Sequence, residues 1–240
     1  VVADKAAFRR GIKRLQAQGH QVEVDPDALS RHTRFAGDDD TRLAAIERAA
    51  HSGANVAMIS RGGYGLSRLL HRLPYQALQA AVDKGTHFVG LSDFTLLQNA
   101  MLAKTGATTW AGPALCEGFG AVDGVDDIVQ ACFDDLLQGV GEGTGWRLPA
   151  GDFKAHPGVL LPLVSDDEDF DGWGVNHAVL WGGNLTMLTS LLGTPYWPQV
   201  ERWATEGCAA GFEVAVFALM DKVSGDYCAL GVREFCHIEA

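Results

Sequence analysis

Short unbroken apolar runs, each separated from the next by a segment of helical periodicity, constrain this fold more than any other feature of the chain. The runs are Asn55–Ile59, His87–Gly90 and Thr108–Ala111. Helical spacing fills the gaps, with Phe8, Ile12 and Leu15 inside 6–18, then 41–50, 66–70, 75–82 and 94–104. Asp38, Asp39 and Asp40 supply side-chain acceptors and negative charge at the start of the second helix, and Gly19 and Gly53 suit left-handed stops. A strand that is apolar at every position is buried on both faces, so this alternation predicts an α/β fold built on a mainly parallel sheet. A further short strand is expected at Gln21–Val24.

The texture changes near Gly112-Pro113. Residues 118–145 are rich in Gly and Asp around one expected helix, 126–137, and read as a connecting region. A second apolar cluster then predicts a smaller α/β unit, from the runs 159–164 and 175–181, the turn Gly182-Gly183-Asn184 and a helix over 185–192. The expected organisation is an N-terminal α/β domain over 1–117, a linker over 118–157 and a C-terminal α/β domain over 158–240. The acidic stretch 165–171 has part of the Asp spacing of a calcium loop. It lacks a Glu twelve positions from its first Asp, so it reads as a solvated loop.

Charge excludes whole classes of function. With 19 Lys+Arg against 30 Asp+Glu the net charge is −11, whereas backbone binding to nucleic acid or to an anionic membrane surface needs a basic excess. No run of about 18 apolar residues is present, and the opening residues show no apolar core with a cleavage site. A soluble, cytoplasmic protein is expected, with no nucleic-acid or membrane partner. Cys116, Cys132, Cys208, Cys228 and Cys236 form no CxxC pair and no zinc spacing, and read as reduced thiols. No metal or other cofactor is expected.

The chemistry-bearing segment is HFVGLSDFTLLQNAMLAK, residues 87–104. A strand running through Gly90-Leu91-Ser92-Asp93 straight into a helix exposes Ser92 at a sharp turn on the carboxyl edge of the sheet, where α/β proteins place their sites. There the Asp93 N–H and the helix dipole can stabilise an oxyanion. The segment departs from G-x-S-x-G in having Phe94 two positions after the serine. The plainer alternative is that Ser92 and Asp93 cap the helix. A second segment, ISRGGYGLSRLL over 59–70, sets Gly62, Gly63 and Gly65 at another strand end. It is neither a P-loop nor G-x-G-x-x-G, but its glycines allow close backbone approach and turn N–H groups toward a ligand, with Gly63 as the second oxyanion donor. Arg61 could meet a substrate carboxylate or be an exposed structural arginine.

RGGYG with its Leu-rich sequel, then VGLSDFT, then Gly112-Pro113, then LWGGNLTMLTSLLGTPYWP at 180–198, resemble in order and spacing the LD-carboxypeptidases. This is the serine peptidase family of muramoyltetrapeptide carboxypeptidase and the microcin-immunity peptidases. The resemblance implies a flavodoxin-like N-terminal domain, a smaller C-terminal α/β domain, a metal-free Ser-His-Glu triad and a homodimer. It places the nucleophile on Ser92 and the oxyanion donors on the N–H groups of Gly63 and Asp93. The implied substrate is a cytoplasmic murein tetrapeptide, met in peptidoglycan recycling and cut between meso-diaminopimelate or lysine and the terminal D-alanine.

The Glu and His of that triad should follow GTPYWP, and neither stands in the family's context. Glu213, within the apolar run 212–219, and His237 are the pair nominated as relay and base; an exposed strand position and a polar chain end are the blander readings. His177 reads as a core histidine, and His20, His32, His51, His71, His87 and His156 fall in turns, helix ends or loops. The tail from about 204 departs from the family, and the first helix comes with no strand before it, so a fragment or altered variant of reduced activity is one reading. The others are an active LD-carboxypeptidase, a peptidase acting on a peptidyl-nucleotide with Trp173 or Trp197 stacking on the base, and a binding protein that has lost its relay.

Overall fold

The structure, a computed structural model, describes residues 1–138 and 182–198. Its elements are α1 (Lys5–Ala17), α2 (Asp39–His51), β1 (Val56–Met58), α3 (Tyr75–Asp83), β2 (His87–Gly90), α4 (Thr95–Thr105), β3 (Trp110–Ala111), α5 (Asp127–Gln138) and α6 (Leu185–Thr189). The strands form a parallel sheet in the order β1-β2-β3, with Ala57 opposite Phe88 and Gly90 opposite Ala111. This is the α/β arrangement expected from the apolar runs.

Successive side chains of a strand point to opposite faces, and β1 feeds two separate cores. Ala57 and Ile59 pack into a cluster with Leu43 of α2, Leu78 of α3 and Leu97 and Met101 of α4. Val56 and Met58 pack into the other, with Phe8 and Leu15 of α1, with Phe119, and with Phe133 of α5. Helices therefore cover both faces of the sheet. Leu69 and Leu78 are completely buried, and burial of one such side chain contributes about 1.5–3 kcal/mol.

Three local expectations change. Gln21–Val24 forms no strand: Val22 rests on the second core while Val24 is 42% exposed, and no strand among the described residues pairs with the segment. The helix expected at 66–70 is two 3₁₀ turns, Leu66–Arg68 and Leu70–Arg72. Gly65 at φ +97° enters the segment and Pro74, which cannot donate a backbone N–H, closes it. Its buried residues Leu66, Leu69, Leu70 and Leu73 keep their helical spacing all the same. The third strand is shorter than the 108–111 run and is confined to Trp110–Ala111.

Beyond β3 the chain crosses the carboxyl end of the sheet. The Leu115 N–H donates to Ile59 O at 3.0 Å and the Cys116 N–H to Ser60 O at 2.9 Å. A π-helical turn, Leu115–Phe119, then packs on α1, where Arg14 Nη1 donates to Phe119 O at 2.7 Å and Arg10 Nε to Gly120 O at 3.0 Å. Phe119 is fully buried and meets Phe133 edge to face at 5.0 Å. In that turn burial, followed by the negative charge of Glu117, pushes the Cys116 thiol up to about 11. The thiolate is the nucleophile, so Cys116 should alkylate with iodoacetamide at pH 7 about 100-fold more slowly than an unperturbed cysteine. Peptide-resolved mass spectrometry checks this.

The runs at 159–164 and 175–181, the acidic loop 165–171, and His156, Trp173, His177, Glu213 and His237 all lie outside the described residues. Within them, no helix is long and apolar enough to cross a membrane.

Candidate active site

Ser92 sits immediately beyond β2, at the first position of a 3₁₀ turn, Ser92–Phe94, that leads directly into α4. Its φ is +61°, left-handed backbone that a non-glycine residue adopts at a cost of about 1–2 kcal/mol. The segment is thus a strained strand-to-helix turn with its serine at the apex. Gly62 comes so close that a Cβ built on it would stand 2.9 Å from Ser92 Cβ and 3.2 Å from Ser92 Oγ. The two glycine-bearing segments singled out from the sequence are therefore in contact at the serine.

The helix-cap alternative does not describe this geometry. Neither the 3₁₀ turn nor α4 has a side-chain cap, and Ser92 Oγ makes no hydrogen bond among the described residues. The Asp93 carboxyl instead reaches the glycine-rich segment, Oδ2 accepting the Leu66 N–H at 2.9 Å. Asp93 is only 8% exposed. Burial raises its pKa from the usual carboxylate range, opposed by the Leu66 N–H and the charge of Arg42.

Gly63 is exposed, nothing stands within 4 Å of where its Cβ would lie, and its N–H makes no hydrogen bond among the described residues. Next to it Tyr64 is 52% exposed and its OH accepts from Arg34 Nη1 at 2.8 Å. Arg61 lies 3.5 Å from Glu117 through Nε and donates to Val1 O at 3.3 Å through Nη1. Behind the elbow, α4 is tied to the start of α6: Asn99 Nδ2 donates to Gly182 O at 2.9 Å, and Thr95 Oγ1 accepts the Asn184 N–H at 3.0 Å. Asn184 in turn caps α6 through Met187 N.

No histidine among the described residues is hydrogen-bonded to Ser92. His87 is at the opposite end of β2, about 16 Å away at 3.3 Å per residue, with its ring against Trp110. His20 packs on Phe133 and His51 bonds Glu47 O. Sequence reasoning brought Ser92 and the glycine loop together but missed the Asp93 side chain, the Arg34–Tyr64 pair and the Thr95–Asn99 tie. None has a local signature, because the partners stand 27, 30 and more than 80 residues apart.

Fold and site together define a parallel α/β protein with a serine elbow of the kind used by serine hydrolases. The chain matches the LD-carboxypeptidase family: residues 1–112 match its N-terminal domain. It is 30% identical over 183 residues to the "Probable murein peptide carboxypeptidase" of Bacillus subtilis, covering 76% of this chain and 51% of that one. It is 28% identical over 211 residues to the microcin C7 self-immunity protein MccF of Escherichia coli, covering 83% and 60%. The crystal structure of muramoyltetrapeptide carboxypeptidase from Oxalobacter formigenes superposes with TM-score 0.57 at 28% identity, covering 95% of this chain and 78% of that one. The chain spans about half the length of the first of these relatives.

Proposed function

We propose that this chain acts as a cytoplasmic serine LD-carboxypeptidase that releases terminal D-alanine from murein tetrapeptides. The observation that carries the reading is Ser92, held at φ +61° at the end of β2 with Gly62 against its side chain. Ser92 Oγ attacks the amide carbon, the N–H groups of Gly63 and Asp93 receive the oxyanion, and an imidazole takes the serine proton and returns it to the leaving D-alanine. Water then hydrolyses the acyl-enzyme by the same relay. His237 and Glu213 are the proposed base and its orienting carboxylate, and Arg61 the proposed partner of the substrate carboxylate. Residues 1–117 are the flavodoxin-like domain in this reading, with a smaller α/β domain after the linker.

A second reading, cleavage of a peptidyl-nucleotide, draws support from the likeness to MccF and from exposed Tyr64 on the glycine-rich loop. Trp197 is a weaker stacking surface, since it packs on the core. The two substrates discriminate. Incubation with L-alanyl-γ-D-glutamyl-meso-diaminopimelyl-D-alanine should release D-alanine faster than an aminoacyl sulfamoyl adenosine is cleaved. The reverse order overturns the murein reading. Failure of Ser92 to react with a fluorophosphonate probe overturns both and leaves a binding protein.

A further inference from the structure

Asp93 contributes two groups to the elbow, and they serve different segments. Its N–H stands at the helix start beside Ser92, while its carboxyl turns back to the loop that approaches the serine from β1. An aspartate at a helix start ordinarily caps its own helix. Here Oδ2 accepts the N–H of Leu66 instead, at 2.9 Å, in a buried bond spanning 27 residues of sequence. Oδ1 is buried without a hydrogen-bond partner among the described residues.

The anchored loop is the one that carries Gly63. At one end Gly62 lies against Ser92, and at the other Leu66 is fixed by Asp93. Gly63, Tyr64 and Gly65 span the interval, with Gly65 left-handed and its α-carbon close against the Phe35 ring. Two glycines in a three-residue span give the backbone wide freedom, yet an oxyanion donor is effective only when it is already in place. A misplacement of about 1 Å at a reacting centre can slow it by about 10²-fold.

We infer that Asp93 is a positioning residue: its carboxyl fixes the glycine-rich loop through Leu66 so that the Gly63 N–H is held in register with its own N–H across Ser92. The inference rests on Ser92 acting as the nucleophile. One residue thereby sets both halves of the oxyanion site, one through its backbone and the other through its side chain.

The test measures two quantities on the full chain: the second-order rate of Ser92 labelling by a fluorophosphonate, and amide hydrogen exchange at Leu66. Asp93→Ala should lower the labelling rate about 10²-fold and accelerate Leu66 exchange. Asp93→Asn keeps an oxygen for the Leu66 N–H and puts its amide nitrogen where Oδ1 accepts no hydrogen bond among the described residues, so it should stay within about threefold of wild type in both. Asp93→Leu fills the volume without an acceptor and should behave as alanine does; it replaces alanine where alanine does not fold. Wild-type labelling in Asp93→Ala, equal losses in the Ala and Asn variants, or unchanged Leu66 exchange overturns the inference. An unlabelled wild type instead overturns the nucleophile reading and the inference with it.

Discussion

Replacing Ser92 with alanine is expected to lower hydrolysis by at least about 10⁴-fold while leaving the fold intact. The size follows from losing the nucleophile, since a donor pair and binding contacts alone retain only a small part of a serine hydrolase's rate. The stability expectation follows from what the hydroxyl does in the resting molecule. Ser92 Oγ makes no hydrogen bond among the described residues and the helix behind it is uncapped by side chains. Removing one atom therefore breaks no hydrogen bond among the described residues, and the melting temperature should move by no more than a degree or two. Ser92→Gly sharpens the contrast. Glycine adopts φ +61° without the penalty serine bears, so this variant should be inactive yet at least as stable as wild type, the gain being limited by glycine's greater freedom in the unfolded chain. Loss of activity with equal or higher stability marks strain held for function. A large drop in stability for either variant would make Ser92 a structural residue, and retained turnover in Ser92→Ala would remove the proposed mechanism.

What the sequence could reveal divides along the distance between interacting residues. The strands were legible because a chain buried on both sheet faces must be apolar at consecutive positions, and Ala57 and Ile59 do face one core while Val56 and Met58 face the other. The expected strand at Gln21–Val24 misled, because a four-residue stretch becomes a strand only where a neighbour accepts its hydrogen bonds, and no strand among the described residues does so. The spacing of Leu66, Leu69, Leu70 and Leu73 misled in the opposite way, since consecutive 3₁₀ turns bury the same positions as one α-helix. At the site, the elbow was readable because Gly90, Ser92 and the helix are contiguous. The Asp93–Leu66 bond and the tie between α4 and the Gly182–Asn184 turn join positions that only the packed fold brings together. Glu213 and His237 lie outside the described residues, so their part in the relay rests on the sequence.

Gly90→Ala is expected to be severe both for stability and for Ser92, although it adds a single methyl group. A Cβ at this position would stand 2.6 Å from two carbons of the Phe94 ring and 3.0 Å from Ile59 Cδ1, inside the closest approach of carbon atoms. The strand has little room to retreat. Gly90 is registered with Ala111 of β3, and its carbonyl accepts the Gly112 N–H at 3.1 Å. Phe94 must yield instead, yet it is 9% exposed and ends the 3₁₀ turn that begins at Ser92. Overpacking of this kind costs about 1–3 kcal/mol, so the urea midpoint should fall with an unchanged slope. Labelling of Ser92 by a fluorophosphonate should fall further than the unfolded fraction accounts for, because moving Phe94 turns the serine away from its donors. Gly63→Ala is the matching control: nothing lies within 4 Å of the added Cβ, and the expected change in stability is within about 0.5 kcal/mol. Should Gly90→Ala match wild type in both midpoint and labelling, Phe94 can repack without disturbing the turn, and close contact between strand and turn is not what aims Ser92.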